Sequence, residues 1–202
     1  MPSPQFIQDV LFPYAVAYLI LVFILPSYRV YRATGKNPYV FGRSDSAHDY
    51  AGQQMRIMTI VTLMGIAVWS YFHDWYNVLV PLRWLETETG SATGAVLLVM
   101  SLTWIIIAQI HMGLSWRIGF KNDDETVLVK TGVFRFSRNP VFLGMIVTQL
   151  GVFLVMPNVV MLILLFQTYQ LLQIQVRLEE EFLSSKYPQD YAEYRQLTRR
   201  WL

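Results

Sequence analysis

Two groups of residues in the last third of the chain have types and spacings that could do chemistry. The first is Ser137-Arg138-Asn139-Pro140-Val141-Phe142-Leu143-Gly144. Asn is a favoured N-cap and Pro a favoured first helical residue, so this stretch predicts a helix start at Pro140. A helix start presents free N–H groups and positive potential, and with Arg138 beside it could receive a carboxylate or a phosphate. A capped start with no ligand is the alternative. The second group is Arg177-Leu178-Glu179-Glu180-Glu181. On a helix, Arg177 meets Glu180 and Glu181 at spacings of three and four, while Glu179 points elsewhere. As a surface ion pair this would contribute under ~1 kcal/mol. At the edge of a membrane, ionisable groups are costly unless paired or used, and the group then points to binding or proton transfer.

Polar residues lead toward the second group. Gln167, Gln170, Gln173 and Arg177 fall within about one third of a helical turn. Inside a span such a stripe should face protein or a watery cavity, as an interhelical contact or as a pocket wall. Gly144, Thr148 and Gly151 share one face of the helix that Pro140 opens, which suits close helix packing more than a ligand. Leu183, Tyr187, Tyr191 and Tyr194 recur at helical spacing and form an apolar-aromatic stripe for the core or the membrane surface. His48, His73 and His111 have no ligand spacing and there is no cysteine, so no metal site is expected and thiolate chemistry is excluded. No Gly-rich dinucleotide or phosphate loop occurs, so any cofactor needs another architecture.

The elements that must position these residues are membrane helices. A 202-residue chain that is 54% hydrophobic and 15% charged is too apolar for an ordinary soluble domain. Five apolar runs approach membrane length, at about 10–30, 55–73, 92–112, 140–156 and 158–176. Met156-Pro157-Asn158 is the break between the last two and predicts a tight hairpin. Short helices follow at about 177–186 and 189–197, the second opening near Pro188. With five crossings, fifteen of the sixteen Lys and Arg residues fall on one side, and Arg83 alone on the other. The positive-inside rule then puts the N-terminus outside and the C-terminus in the cytoplasm. The first span lacks a basic leader and a small-residue cleavage site and is expected to be retained. Trp201 and the arginines beside it fit an interfacial anchor. The expectation is an all-α integral membrane protein with a cytoplasmic site near its C-terminal half. Residues 1–112 form a three-helix region and 113–202 a catalytic region. The basic residues follow from topology, so no nucleic-acid partner is expected.

Over about 115–202 the chain resembles the isoprenylcysteine carboxyl methyltransferase family, related to the phospholipid methyltransferases. The likeness is carried by Leu128-Val129, Gly132, Phe134, Arg138-Asn139-Pro140, Phe142, Gly144, Glu179-Glu180, Tyr191 and Tyr194, with Trp116-Arg117 similar to bacterial members. It implies S-adenosylmethionine as cofactor, held by Val127, Leu128, Val129, Gly132, Phe134, Arg138, Asn139, Pro140, Phe142 and Glu180. Arg177, Glu179 and Glu180 would be catalytic, and a lipophilic small molecule or lipid would enter from the bilayer, in the inner membrane if the cell is bacterial. Two departures leave the methyl acceptor open among carboxylate, amine and thiol. Asn139 stands where the family has His, which removes a titrating group. Gln175 stands where the eukaryotic pattern has Arg, the cation that a prenylcysteine carboxylate would need. Phospholipid N-methylation, an NADPH-dependent sterol-type reductase and a non-enzymatic scaffold are the rival readings.

Overall fold

The computed structural model describes residues 4–42, 46–119 and 127–202. Arg43 and Lys121, both counted in the charge asymmetry, lie outside the described residues. Every regular element among the described residues is helical, and strand pairing is confined to two isolated bridges. The chain opens with α1 (Pro4–Leu19), a π-helical turn (Ile20–Ile24) and α2 (Leu25–Thr34), continuous with one another. The wider π-turn leaves a backbone carbonyl short of its usual partner. Gln109 Nε2 reaches across from a later helix and donates to Val22 O at 2.6 Å in a buried setting. Gly35 ends the run in the left-handed conformation, φ +69°, which a glycine adopts without strain.

α3 (Ala47–Tyr71) and α4 (Glu88–Met112) each start on a hydroxyl cap, Ser46 accepting from Asp49 N and Thr87 from Gly90 N. α5 (Pro140–Val155), α6 (Val159–Lys186) and α7 (Pro188–Leu197) follow. Pro140 and Pro188 both sit in the first turn of their helices, as the sequence predicts. α4 and α5 pack closely because small residues face one another. A Cβ on Gly144 would collide with Ile105, and one on Gly94 would stand 2.7 Å from Gly151 O. Thr148 Oγ1 lies 2.9 Å from Ser101 Oγ across the same seam. The small-residue face of α5 is thus a packing surface.

The hairpin forms at Met156–Asn158. Asn158 is fully buried; its Oδ1 accepts from Met161 N at 2.9 Å and its Nδ2 donates to Met156 O at 2.9 Å. The 80–82 segment closes the turn from outside, through Val159 N to Val80 O at 3.1 Å and Leu82 N to Pro157 O at 2.9 Å. One apolar core around Ile66, Leu98, Met156 and Met161 fills this end of the bundle. A second, around Val22, Ile105, Trp116 and Phe134, fills the other.

Among the described residues, three stretches are long and apolar enough to cross a membrane: Gln5–Thr34, Glu88–Ser115 and Val159–Lys186. Pro140–Val155 is apolar but shorter, and the expected second span falls on α3 except for its last two residues. The expected fifth span and first tail helix are one continuous 28-residue helix, α6. A second departure concerns the Gln stripe. Gln167 and Gln170 are exposed and Gln173 half-buried, so the stripe faces outward and walls no cavity. Burial of Met161, Leu164, Leu172 and Val176 fixes which side of α6 meets the bundle, and the stripe is on the other.

Asn158→Ala removes a buried cap and a turn bond together. It is expected to lower stability by about 1–2 kcal/mol, measured by denaturant unfolding in detergent, and a change within a few tenths would show that the 80–82 contacts hold the hairpin alone.

Candidate active site

Arg138 reaches the site from the last residue but one before α5, where backbone and side chain are both fixed. Its N–H donates to Arg199 O at 2.9 Å. Its guanidinium donates to Glu180 Oε1 from Nη2 at 2.7 Å and from Nε at 3.2 Å, and from Nη1 to the Thr198 and Arg195 carbonyls. Arg200 closes on the other side of the same carboxylate, Nη2 to Oε2 at 2.7 Å and Nε to Oε1 at 3.1 Å. The Arg138 and Glu180 side chains are 8% and 9% exposed and that of Arg200 is 32% exposed. Charge-assisted bonds of this kind are short and strong, and in such burial each partner needs the others. The hydrogen bond to Glu180 pushes the pKa of Arg200 up.

The pairing differs from the sequence expectation. Arg177 is exposed and turns back to Gln173, Nη1 donating to the carbonyl at 2.7 Å and to Oε1 at 3.2 Å. Helical side chains lean toward the N-terminus, which favours that direction over the expected one toward Glu180 and Glu181. Glu180 is claimed instead by two arginines far away in sequence. Asn139 occupies the N-cap position of α5 but makes no side-chain cap bond. Its Nδ2 donates to Arg200 O at 3.0 Å, so the first N–H groups of α5 are left without a side-chain acceptor.

Beside this cluster a cavity of about 710 Å³ opens into the bundle. Its lining includes Val127, Leu128, Val129, Phe134, Arg138, Asn139, Pro140, Phe142, Glu179 and Glu180, so ten sequence-predicted site residues are brought together. Gly132 and Arg177 are not in that lining. Gly132 has φ +62°, and a Cβ there would run into the His111 ring, so its lack of a side chain lets loop and α4 meet. Leu183, Tyr187, Tyr191 and Tyr194 also line the cavity, which gives the aromatic stripe its place. Tyr194 Oη donates to Phe134 O at 2.6 Å, and Lys130 Nζ pairs with Asp190 at 2.6 Å, so α7 clamps the 127–138 segment. Tyr191 is 1% exposed, its Oη lies beside the Arg138 guanidinium without a well-formed hydrogen bond, and burial pushes its pKa up to about 12. It stays a neutral donor at ordinary pH.

Three further residues belong to this region: Arg117 and Gln175, which the likeness singles out without a site role, and Arg200, which sequence reasoning missed. Arg117 lines the cavity and acts on Glu179 electrostatically. Gln175, 2% exposed, lines it one turn before Glu179, with Oε1 unpartnered. Arg200 carries no local signal, because its partner is twenty residues earlier. Among the described residues no three His, Cys, Asp or Glu side chains gather in a way that would hold a metal ion.

Away from the charged end the lining becomes apolar, through Met58, Leu63, Ile66, Val152 and Leu172. Fold and site together define an integral membrane protein with an amphipathic ligand cavity, charged at one end and greasy at the other. The chain belongs to the phospholipid methyltransferase family, whose model matches residues 90–190, half of the sequence. It is also similar to Protein-S-isoprenylcysteine O-methyltransferase of Saccharomyces cerevisiae (strain ATCC 204508 / S288c), 29% identical over 114 residues. That alignment covers 55% of this chain and 48% of the yeast protein, so the chain spans about half the length of the curated relative it matches.

Breaking a buried pair by removing one partner costs about 3–5 kcal/mol. Glu180→Ala and Arg138→Ala are expected in that range, and Arg200→Ala, whose loss leaves Glu180 paired, nearer about 1 kcal/mol. Unfolding in detergent measures all three, and equal losses would mean that Arg200 matters as much as the buried pair.

Proposed function

We propose that the protein is an S-adenosylmethionine-dependent methyltransferase acting on a lipophilic acceptor. One observation carries this reading: a single cavity joins a charged, hydrogen-bonding end to an apolar interior, so donor and greasy acceptor can meet in it. Its volume lies within the ~300–1,000 Å³ usual for small-molecule sites. Family membership supports methyl transfer, and the yeast relative's name makes O-methylation of an isoprenylcysteine the first model for the acceptor.

The donor end fits the cofactor. The uncapped N–H groups of α5 suit its carboxylate. The buried Tyr191 hydroxyl, beside Arg138, suits a ribose hydroxyl, and Val127, Leu128, Val129 and Phe134 offer apolar walls for the adenine. When bound, S-adenosylmethionine supplies an electrophilic methyl group. The chain's own part is chiefly orientation and exclusion of water. Arg138, Glu180 and Arg200 hold the start of α5 and the end of α6 in one geometry. With both oxygens of Glu180 already engaged, its role is positioning, through Arg138. Glu179 is the carboxylate left to take a proton from the acceptor. Of the cationic roles expected at Arg177, those inside the cavity fall to Arg117 and Arg138.

A second reading, an amine acceptor, has its own support. Neutral Gln175 stands where a cation would recognise a carboxylate, one turn from Glu179. A carboxylate needs no base, whereas an amine must lose a proton. We also propose five crossings, with α3 and the short α5 as the second and fourth, the N-terminus outside and the C-terminus cytoplasmic. Fifteen of sixteen basic residues on one side support this, and the charged end of the cavity lies among them. In this arrangement residues 113–202 carry the donor chemistry and residues 1–112 supply much of the apolar wall.

Side-by-side binding of S-adenosylmethionine, S-adenosylhomocysteine and NADPH to purified protein tests the reading. The first two are expected to bind and the third not; NADPH alone would make it a reductase, and none would make it a scaffold. Tyr191→Phe is expected to weaken S-adenosylhomocysteine about tenfold, with a loss of stability of no more than about 1 kcal/mol from its contact with Arg138. Glu179→Gln is expected to lower turnover of phosphatidylethanolamine about a hundredfold or more, and to leave turnover of S-farnesylcysteine nearly unchanged. The acceptor that wild type methylates decides between the two readings.

A further inference from the structure

Midway down the cavity the apolar lining is interrupted by polar side chains. Tyr14 and Tyr18 of α1, Thr148 and Gln149 of α5 and Thr168 of α6 all line it. Most of these have partners within the protein. Tyr14 Oη donates to Leu98 O at 2.7 Å, Thr148 Oγ1 donates to Gly144 O at 2.9 Å, and the Tyr18 hydroxyl lies against Thr148. Gln149 differs. It is only 8% exposed, it lines the cavity, and its Nε2 has no hydrogen-bond partner. A buried amide N–H left unmade is unfavourable, and a membrane interior offers no water to satisfy it. Leu or Met would fill the same space without that cost.

We infer that Gln149 is the centre of a second polar subsite, which takes an oxygen function, a carbonyl or hydroxyl, set part-way along the acceptor's apolar tail. The inference rests on the proposed function, because it takes the cavity to hold the acceptor. Gln149 lies ten residues into α5 from Asn139, about 15 Å at ~1.5 Å per residue, so the oxygen belongs well below the reacting end. An unbroken hydrocarbon tail would leave the amide unpaired. A tail bearing oxygen at that depth would satisfy it, and specificity built on a buried polar group is steep because its loss leaves a partner unmade.

Stearic acid and a positional series of hydroxystearic acids are the probes, bound in detergent to the protein loaded with S-adenosylhomocysteine. One isomer is expected to bind about tenfold tighter than stearic acid, and Gln149→Leu is expected to erase that advantage while stearic acid binds as before. Without lipid, Gln149→Leu should melt no lower than wild type. Isomers no tighter than stearic acid, an advantage that survives the substitution, no binding by any probe, or a lowered melting temperature would each overturn the subsite. Binding of S-adenosylhomocysteine reads out the methyltransferase assignment separately, so failure of one is distinguishable from failure of the other.

Discussion

The carboxylate of Glu180, held between the guanidinium groups of Arg138 and Arg200, is the contact on which the rest of the site depends. Placing an ion in so buried a position is unfavourable unless its partners come with it. The chain therefore has to bring three distant segments to one point: the start of α5, the end of α6 and the stretch after α7. Once they meet, the Arg138 guanidinium also binds the Thr198 and Arg195 carbonyls, which fixes how α7 lies. With α7 in place, Tyr194 can reach the Phe134 carbonyl and Tyr191 is sealed beside the cavity. The charged end of the cavity is thus a result of one ion cluster propagated through backbone bonds.

The same helices that build this end build its opposite. Down α6 the lining runs from Leu183 and Glu179 through Gln175 to Leu172 and Thr168, and down α5 from Asn139 through Phe142 to Val152. Polarity fades over a few turns because a cavity-facing helix shows the cavity only every third or fourth residue. A small number of side chains therefore sets the gradient, and neighbours on other faces stay free to pack. The Gly94, Gly144 and Gly151 seam brings α4 hard against α5 and leaves the open space between α1, α3, α5 and α6.

Local chemistry was the legible part of the sequence. Pro140 and Pro188 marked helix starts, Pro157 marked the hairpin, and the two charged groups pointed to residues that do gather around one cavity. What resisted reading was direction. Nothing in the spacing of Arg177 and Glu180 says that Glu180 has two better partners elsewhere, and nothing local distinguishes Arg200 from Arg199. The Gln stripe of α6 met the rule for a buried polar face, yet larger apolar residues on the opposite side decided which face turned inward. Asn139 had the right type and position for a cap, and a long-range bond to the Arg200 carbonyl took its side chain away. Local rules hold until a distant partner outbids them, and in this protein such partners cluster at the site.

The π-turn at Ile20–Ile24 has a consequence for how the first helix tolerates change in length. Such a turn is equivalent to one residue inserted in a regular helix. Deleting one of these five residues would restore an unbroken α-helix and leave the stretches on either side nearly in phase, because the wider turn had absorbed the extra residue. Val30 would keep its place in the core that it shares with Trp116, but the Val22 carbonyl would return to a helical partner and Gln109 would lose it. Ile20 and Ile24 of the turn are exposed, whereas Val22 is fully buried in that core. In evolutionary terms the extra residue and the amide that serves it should come and go together, so relatives without the turn have no need of a glutamine at position 109.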